Sequence, residues 1–351
     1  MSGKGRTAAG KPPGVGAGAR AAVRGAEGAP AGVAATGAWR DRAAAWAELF
    51  RVSALATVPG DALAGAAARG VRPNRGTLLA IGASLCLYEA GMALNDWADR
   101  EEDALDRPHR PLPSGRVHPA AALAASAALT TAGLALAARA GRPPLAVAAA
   151  LAATVWSYDL HLKHTFLGPA AMGAARALDL LLGATATATA TATAPATATA
   201  PASGRAARAT AVPWWSRPTA GVRRAALSAG LLGAHTYAVT AVSRHEAHGG
   251  SATAPAAALT VTTAVAAAAG GGAPLATVLA ADYARTPATS LLHAVLNPSP
   301  PLTRRAVGAG IRALIPLQAA LAARSGAPAT ALAVLALGPL ARALARKVSP
   351  T

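Results

Sequence analysis

Asn95, Asp96, Asp99 and Asp103 follow the spacing N-D-x-x-D-x-x-x-D. On a helix, positions 95, 99 and 103 stack one above another, and 96 lies beside 99. Carboxylates set this close repel one another unless a cation holds them. Three carboxylates and an amide are the oxygen ligands that a hard divalent ion such as Mg²⁺ accepts, and magnesium takes its remaining ligands from water and phosphate. The pattern therefore points to a diphosphate held through a metal. The next residues carry the complementary charge: Arg107, Arg110 and Arg116 can meet phosphate oxygens through bidentate hydrogen bonds. Pro108, Pro111 and Pro113 stop the helix and stiffen the loop, and Gly115 permits a turn.

Composition makes this segment an outlier. The chain has 351 residues and 15 acidic ones, six of which fall between Asp96 and Asp106. Only 14% of residues are charged, against roughly 25% in soluble domains. Mean hydropathy is +0.35, and a soluble core of this size would need a far more polar shell. The net charge of +18 comes almost entirely from arginine, the lysines being Lys4, Lys11, Lys163 and Lys347. These arginines are scattered and form no stripe, and aromatic residues are scarce, so no nucleic-acid partner is expected. Cys86 is the single cysteine. It excludes an internal disulfide and a cysteine metal cluster, and reads as a small buried hydrophobe.

The elements that must position the acidic residues are apolar helices. A bilayer-spanning helix needs about 20 mostly apolar residues. Nine stretches qualify: 46–68, 77–97, 118–138, 143–161, 167–187, 225–243, 255–282, 305–324 and 328–346. No Asp, Glu, Lys or Arg occurs in 119–138 or 252–281. A soluble alanine-rich bundle would show a charged stripe at helical spacing, and "PAAALAASAALTTAGLALAA" shows none. The first stretch is the weakest, since it contains Pro59 and Asp61. Residues 1–45 read as a disordered basic N-terminal tail, and 46–346 as the membrane domain. Within that domain the Thr-Ala alternation and following segment at about 188–222 read as a low-complexity loop, its start possible as an extension of the preceding helix.

Further charged residues lie in or beside these spans. "YDLHLKH" ends the fourth, and there Tyr158 and Lys163 fit two roles: anchors at the headgroup region, or a hydroxyl donor and a cation for a diphosphate. Arg176 and Asp179 are three residues apart within the fifth. Charges inside a span are costly, so these two should pair or line a polar cavity. Asp61 and Glu89 are similarly placed, Glu89 six residues before Asn95; Asp282 carries no evident role.

The segment "NDWADREEDALDRPHRPLPSGR" (95–116) closely resembles the first Asp-rich motif of the UbiA superfamily of intramembrane prenyltransferases, including its arginine-proline-serine-glycine trail. The resemblance extends over about residues 46–346. It implies an all-α membrane protein, a nine-helix bundle that uses Mg²⁺ to bind a prenyl diphosphate and moves the prenyl group to an aromatic or other lipophilic acceptor. It implies a multi-pass protein of the cell membrane. In this reading Asp96, Asp99, Tyr158 and Lys163 are catalytic. Asn95, Arg107, Arg110, Lys163 and Arg176 bind the diphosphate, and Asp96, Asp99, Asp103 and Glu246 hold metal. Tyr158 and Lys163 match the family's Tyr-x-x-x-x-Lys pattern. The family's second motif, D-x-x-x-D after the sixth span, is reduced here to "TAVSRHEAHGG", where Glu246 is the only acid and Arg244 offers positive charge. That reduction resembles an EboC-like subgroup. It also leaves open a non-catalytic protein that binds or moves an isoprenoid or precursor. The CDP-alcohol phosphotransferase pattern D-x-x-D-G-x-x-A-R does not fit, because Arg100 stands where glycine is required.

Overall fold

The computed structural model describes residues 31–51, 55, 57–194 and 217–348. The described residues through Ala44 fall in one unit and those from Ala45 on in another. The described residues are helical, without strands. In chain order the helices are α1 (Ala31–Leu49), α2 (Val58–Ala68), α3 (Arg75–Ala98), α4 (Arg100–Asp106), α5 (Pro119–Ala140) and α6 (Arg142–Ser157). A five-residue π turn, Tyr158–Leu162, extends α6. Then come α7 (Gly168–Thr193), α8 (Arg217–Ser243), α9 (Thr253–Ala269), α10 (Pro274–Leu296), α11 (Pro300–Arg324) and α12 (Pro328–Val348).

Local chemistry sets these boundaries. Asn74 caps α3: its Oδ1 accepts from Gly76 N at 2.8 Å, and Thr77 Oγ1 accepts from Asn74 N at 3.0 Å. This reciprocal box satisfies amides that the first turn leaves without partners. Proline opens α2, α5, α6, α7, α10 and α11, where a missing N–H costs nothing. Among the described residues, five helices are long and apolar enough to cross a membrane: Arg75–Ala98, Pro119–Ala140, Arg142–Leu162, Ala220–Ser243 and Pro300–Arg324.

Two expected spans divide. The stretch 46–68 is α1's end and α2, separated at Arg51, whose φ is +47°, and restarted at Val58-Pro59. The stretch 255–282 is α9 and the first part of α10, broken at Gly270-Gly271-Gly272 before Pro274. Hydropathy counts glycine with the apolar residues, yet a glycine run followed by proline ends a helix. The Thr-Ala repeat is helical through Thr193, α8 begins at Arg217, and residues 195–216 lie outside the described residues. Helix α1 begins at Ala31, inside the segment expected to be tail; residues 1–30 are outside the described residues.

Small residues let the helices approach closely, as membrane bundles require. A Cβ on Gly173 of α7 would lie 2.8 Å from Gly233 O on α8, and the reverse holds equally. Gly65 and Gly183 make a similar close approach between α2 and α7. Leu180, Leu232, Tyr283, Leu317 and Leu321 fill the core where α7, α8, α10 and α11 meet. At one end of the bundle, Gly250 N donates to Pro298 O at 2.7 Å and Arg244 donates to Thr165 O. The opposite end holds Asn74 against Thr187 and Thr191 of α7. The acidic segment lies at the first of these ends.

Candidate functional site

Helix α3 stops at Ala98, and Asp99 forms the joint to α4 with φ −89° and ψ 4°. The backbone bonds Asp99 N to Asn95 O and Asp103 N to Asp99 O carry the chain across it. Asp96 and Asp103 are both buried and converge on Arg110, whose Nη1 lies 3.4 Å from Asp96 Oδ1 and 2.7 Å from Asp103 Oδ2. Arg51 adds a second cation 3.2 Å from Asp96, and Arg107 one 3.5 Å from Asp103. Asp99 turns instead to Lys163, with which it forms an ion pair, with His164 Nε2 4.0 Å away. The expected single set of three carboxylates is thus two sets. Asp99 is the joint at which α3 ends and α4 begins, so the stacking expected of one continuous helix does not hold there.

Asn95 points to a third partner. Its Nδ2 donates to Asp159 Oδ1 at 3.1 Å. Asp159 sits in the π turn and is buried. That turn closes with Lys163 N bonded to Tyr158 O, five residues back, at 3.0 Å. Wide turns of this kind insert one residue and re-aim those around them. Here Tyr158 and Asp159 border the bundle's cavity, and Lys163 meets Asp99.

A cavity of about 1180 Å³ runs from this end into the bundle. Arg51, Asn95, Tyr158 and Asp159 border it, and Leu87, Leu151, Val155 and Ile315 supply apolar wall. A hollow of about 380 Å³ beside it is bordered by Asp99, Glu102, Asp159, Lys163 and His164. Oxygen or nitrogen atoms of Asp99, Glu102 and His164 lie within 4.8 Å of one another. Ion-paired carboxylates at the mouth of an apolar cavity suit a charged headgroup with a hydrocarbon tail.

Residues 53–293 match the UbiA prenyltransferase family. The chain belongs to that family. It is similar to the digeranylgeranylglyceryl phosphate synthases of Methanopyrus kandleri (36% identity over 114 residues, 32% of this chain and 40% of that protein) and Ignicoccus hospitalis (37% over 146 residues, 41% and 48%). The chain thus spans less than half the length of these curated relatives. Two solved structures share the fold. One is a digeranylgeranylglyceryl phosphate synthase in membranes (TM-score 0.56, 16% identity, 81% of this chain and 98% of that one). The other is a UbiA homologue from Archaeoglobus fulgidus bound to DMAPP and Mg²⁺ (0.51, 15%, 83% and 99%). The UbiA fold and the apolar helices make this a multi-pass membrane protein.

The oxygen donors of this end suit a magnesium ion: Asn95 and Asp159 border the cavity, Asp99 the hollow beside it, and Asp96 lies on the same helix end. Asn95 commits its amide nitrogen to Asp159, leaving its carbonyl oxygen for a cation. Glu246 stands apart from this set. It follows α8, borders neither hollow, and its charged neighbours are Arg304 and Arg107. Burial pushes its carboxyl up, and those two guanidiniums pull it back. It is at the same end of the bundle as the acidic segment, and its neighbour Arg107 also pairs with Asp103.

Arg176 is also apart from the acidic end. Its Nε lies 3.0 Å from Asp61 Oδ2, so it pairs with α2 and leaves Asp179, three residues on, to accept from Ser84 of α3. Sequence reasoning missed Arg51 and Asp159 as members of the site. A negative charge at the end of an apolar span was a signal for Asp159; Arg51 carried none.

Proposed function

We propose that this chain transfers a prenyl group from a prenyl diphosphate to a lipophilic acceptor within the membrane, with Mg²⁺. The observation that supports it most strongly is the placement of Asn95, Tyr158 and Asp159 at the mouth of an apolar cavity, next to Asp96 and Asp99 on the same helix end. The Archaeoglobus neighbour's bound DMAPP and Mg²⁺ agree with that reading.

When bound, Mg²⁺ would neutralise diphosphate oxygens and so favour departure of the leaving group. Asn95, Asp96, Asp99 and Asp159 would hold it. Arg51, Arg107, Arg110 and Lys163 now answer carboxylates. They can swing to the diphosphate and stabilise negative charge as the carbon–oxygen bond breaks. The Tyr158 hydroxyl donates to the same group. Leu87, Leu151 and Val155 exclude water from the allylic carbon until the acceptor captures it.

The finer EboC-like placement rests on the reduced "SRHEAHGG" segment, since the relatives compared above are digeranylgeranylglyceryl phosphate synthases. Purified protein in lipid nanodiscs, given radiolabelled geranyl and geranylgeranyl diphosphates with and without Mg²⁺, tests the activity. Mg²⁺-dependent binding and consumption is the expected result. Equal behaviour of wild type and Asp96→Ala/Asp99→Ala would sink the reading.

A further inference from the structure

The end of the bundle away from the acidic segment carries charge of one sign. Helix α7 and α2 fasten its parts together. Asn74, at the start of α3, donates to Thr187 O and Thr191 Oγ1 of α7. A Cβ on Gly141, between α5 and α6, would lie 2.8 Å from Thr189 of α7. A Cβ on Gly221 of α8 would lie 3.2 Å from Arg69 O, just past α2, and Arg224 Nε donates to Ala68 O at 3.3 Å. These contacts gather Arg69, Arg72 and Arg75 of the α2–α3 joint, Arg139 and Arg142 of the α5–α6 joint, and Arg223 and Arg224 of α8. All but Arg69 are exposed.

No carboxylate answers them. The sequence has no Asp or Glu between Asp61 and Glu89, between Asp106 and Asp159, or between Asp179 and Glu246. The ion pairs of the described residues include none of these arginines. At the acidic end, by contrast, Arg51, Arg107, Arg110, Arg116 and Lys163 each meet a carboxylate. Richness in arginine alone therefore does not produce the pattern.

Depth and geometry select the partner. Spans begin at Arg75, Arg142 and Ala220 and end at Ala140, so these guanidiniums stand where hydrocarbon gives way to headgroups. Like charges gathered this way repel unless an anion lies among them. The guanidinium fork meets phosphate oxygens bidentately, and basic residues at the ends of membrane helices attract anionic headgroups. Gly70, with φ +72°, makes room for Arg224: a Cβ there would lie 3.2 Å from its Nη2. Commitment of Nε to Ala68 O fixes that side chain and leaves its Nη atoms for a phosphate.

We infer that this end binds the phosphate groups of anionic phospholipids, with Arg69, Arg223 and Arg224 at the centre of the site. It is independent of the transferase reading and lies at the opposite end from the diphosphate.

Adjacent arginine pairs at the two ends provide the test. The full chain, Arg223→Gln/Arg224→Gln and Arg304→Gln/Arg305→Gln are titrated in detergent with phosphatidylglycerol and phosphatidylcholine, and native mass spectrometry counts bound lipid. Each arginine near an anionic surface contributes roughly fivefold. Wild type should therefore bind phosphatidylglycerol at least about tenfold tighter than phosphatidylcholine, and the first pair should reduce that preference to about twofold or less. The second pair should change it by no more than about twofold, since Arg304 already neighbours Glu246. Equal binding of the two lipids, or equal losses from the two pairs, overturns the inference. Displacement of bound lipid by equimolar inorganic phosphate also overturns it, because the ligand would then be a free anion. Arg72→Gln/Arg75→Gln, on exposed side chains outside the α2–α8 contact, guards against a first pair that does not fold. It should lower the preference at least about fivefold, and an unchanged preference counts against the site.

Discussion

The molecule has two charged centres, and they answer their carboxylates differently. At the bundle end, two of the four cations have room to move: the Arg51 and Arg107 side chains are 41% and 56% exposed, against 22% for Arg110 and 10% for Lys163. At mid-depth, Asp61 is fully buried and Arg176 only 13% exposed. The first centre can trade one partner for another, as a site must when a diphosphate and a metal arrive. The second is fixed by helices on four sides. Exposed ion pairs add little stability, whereas breaking a buried pair strands a charge. Charge alone thus does not distinguish binding from architecture; the freedom of the partner does.

The contrast can be broken at its strongest point first. Asp96→Asn combined with Asp99→Asn should lower prenyl transfer at least about 100-fold, the scale of losing preorganised charge stabilisation. A labelled-product assay reads it, and a loss below tenfold would remove these residues from the diphosphate site. At the other centre, Arg176→Ala should cost about 3–5 kcal/mol by leaving Asp61 unanswered. Arg107→Ala should cost no more than about 1 kcal/mol. Thermal melting in detergent compares them, and similar losses would erase the distinction. Between the centres, Gly173→Val should cost about 1–3 kcal/mol by overpacking α7 against α8, read in the same melts. The smallest effect is expected from Glu246→Gln, no more than about twofold on transfer. A tenfold loss would return Glu246 to the metal set.

Much of this was legible before any coordinates. Six carboxylates crowded behind an apolar run cannot be a solvated face in a chain with 15 acids, and helical spacing located the chemistry. The helices themselves were legible from hydropathy, with two failures at 46–68 and 255–282, where glycine, proline and a left-handed Arg51 outweigh apolar character. Partner choice was not legible. Arg176 and Asp179 have the spacing of a helical ion pair, yet Arg176 reaches Asp61 and Asp179 reaches Ser84, 115 and 95 positions away. Such pairings depend on which helices pack together, and the apolar helices carry few side chains distinctive enough to reveal that. Arg51 and Asp159 were missed for the same reason: each gains meaning only when α3 lies between them.

The π turn at Tyr158–Leu162 works as a one-residue phase shift in an otherwise regular screw. Removing a single residue there would change neither the charge inventory nor the hydropathy of the span. It would rotate everything after it by about 100° and carry Lys163 away from Asp99. The chemistry of this end therefore depends on a count of residues as much as on their kinds, and a deletion invisible to composition would be among the most damaging the chain could suffer.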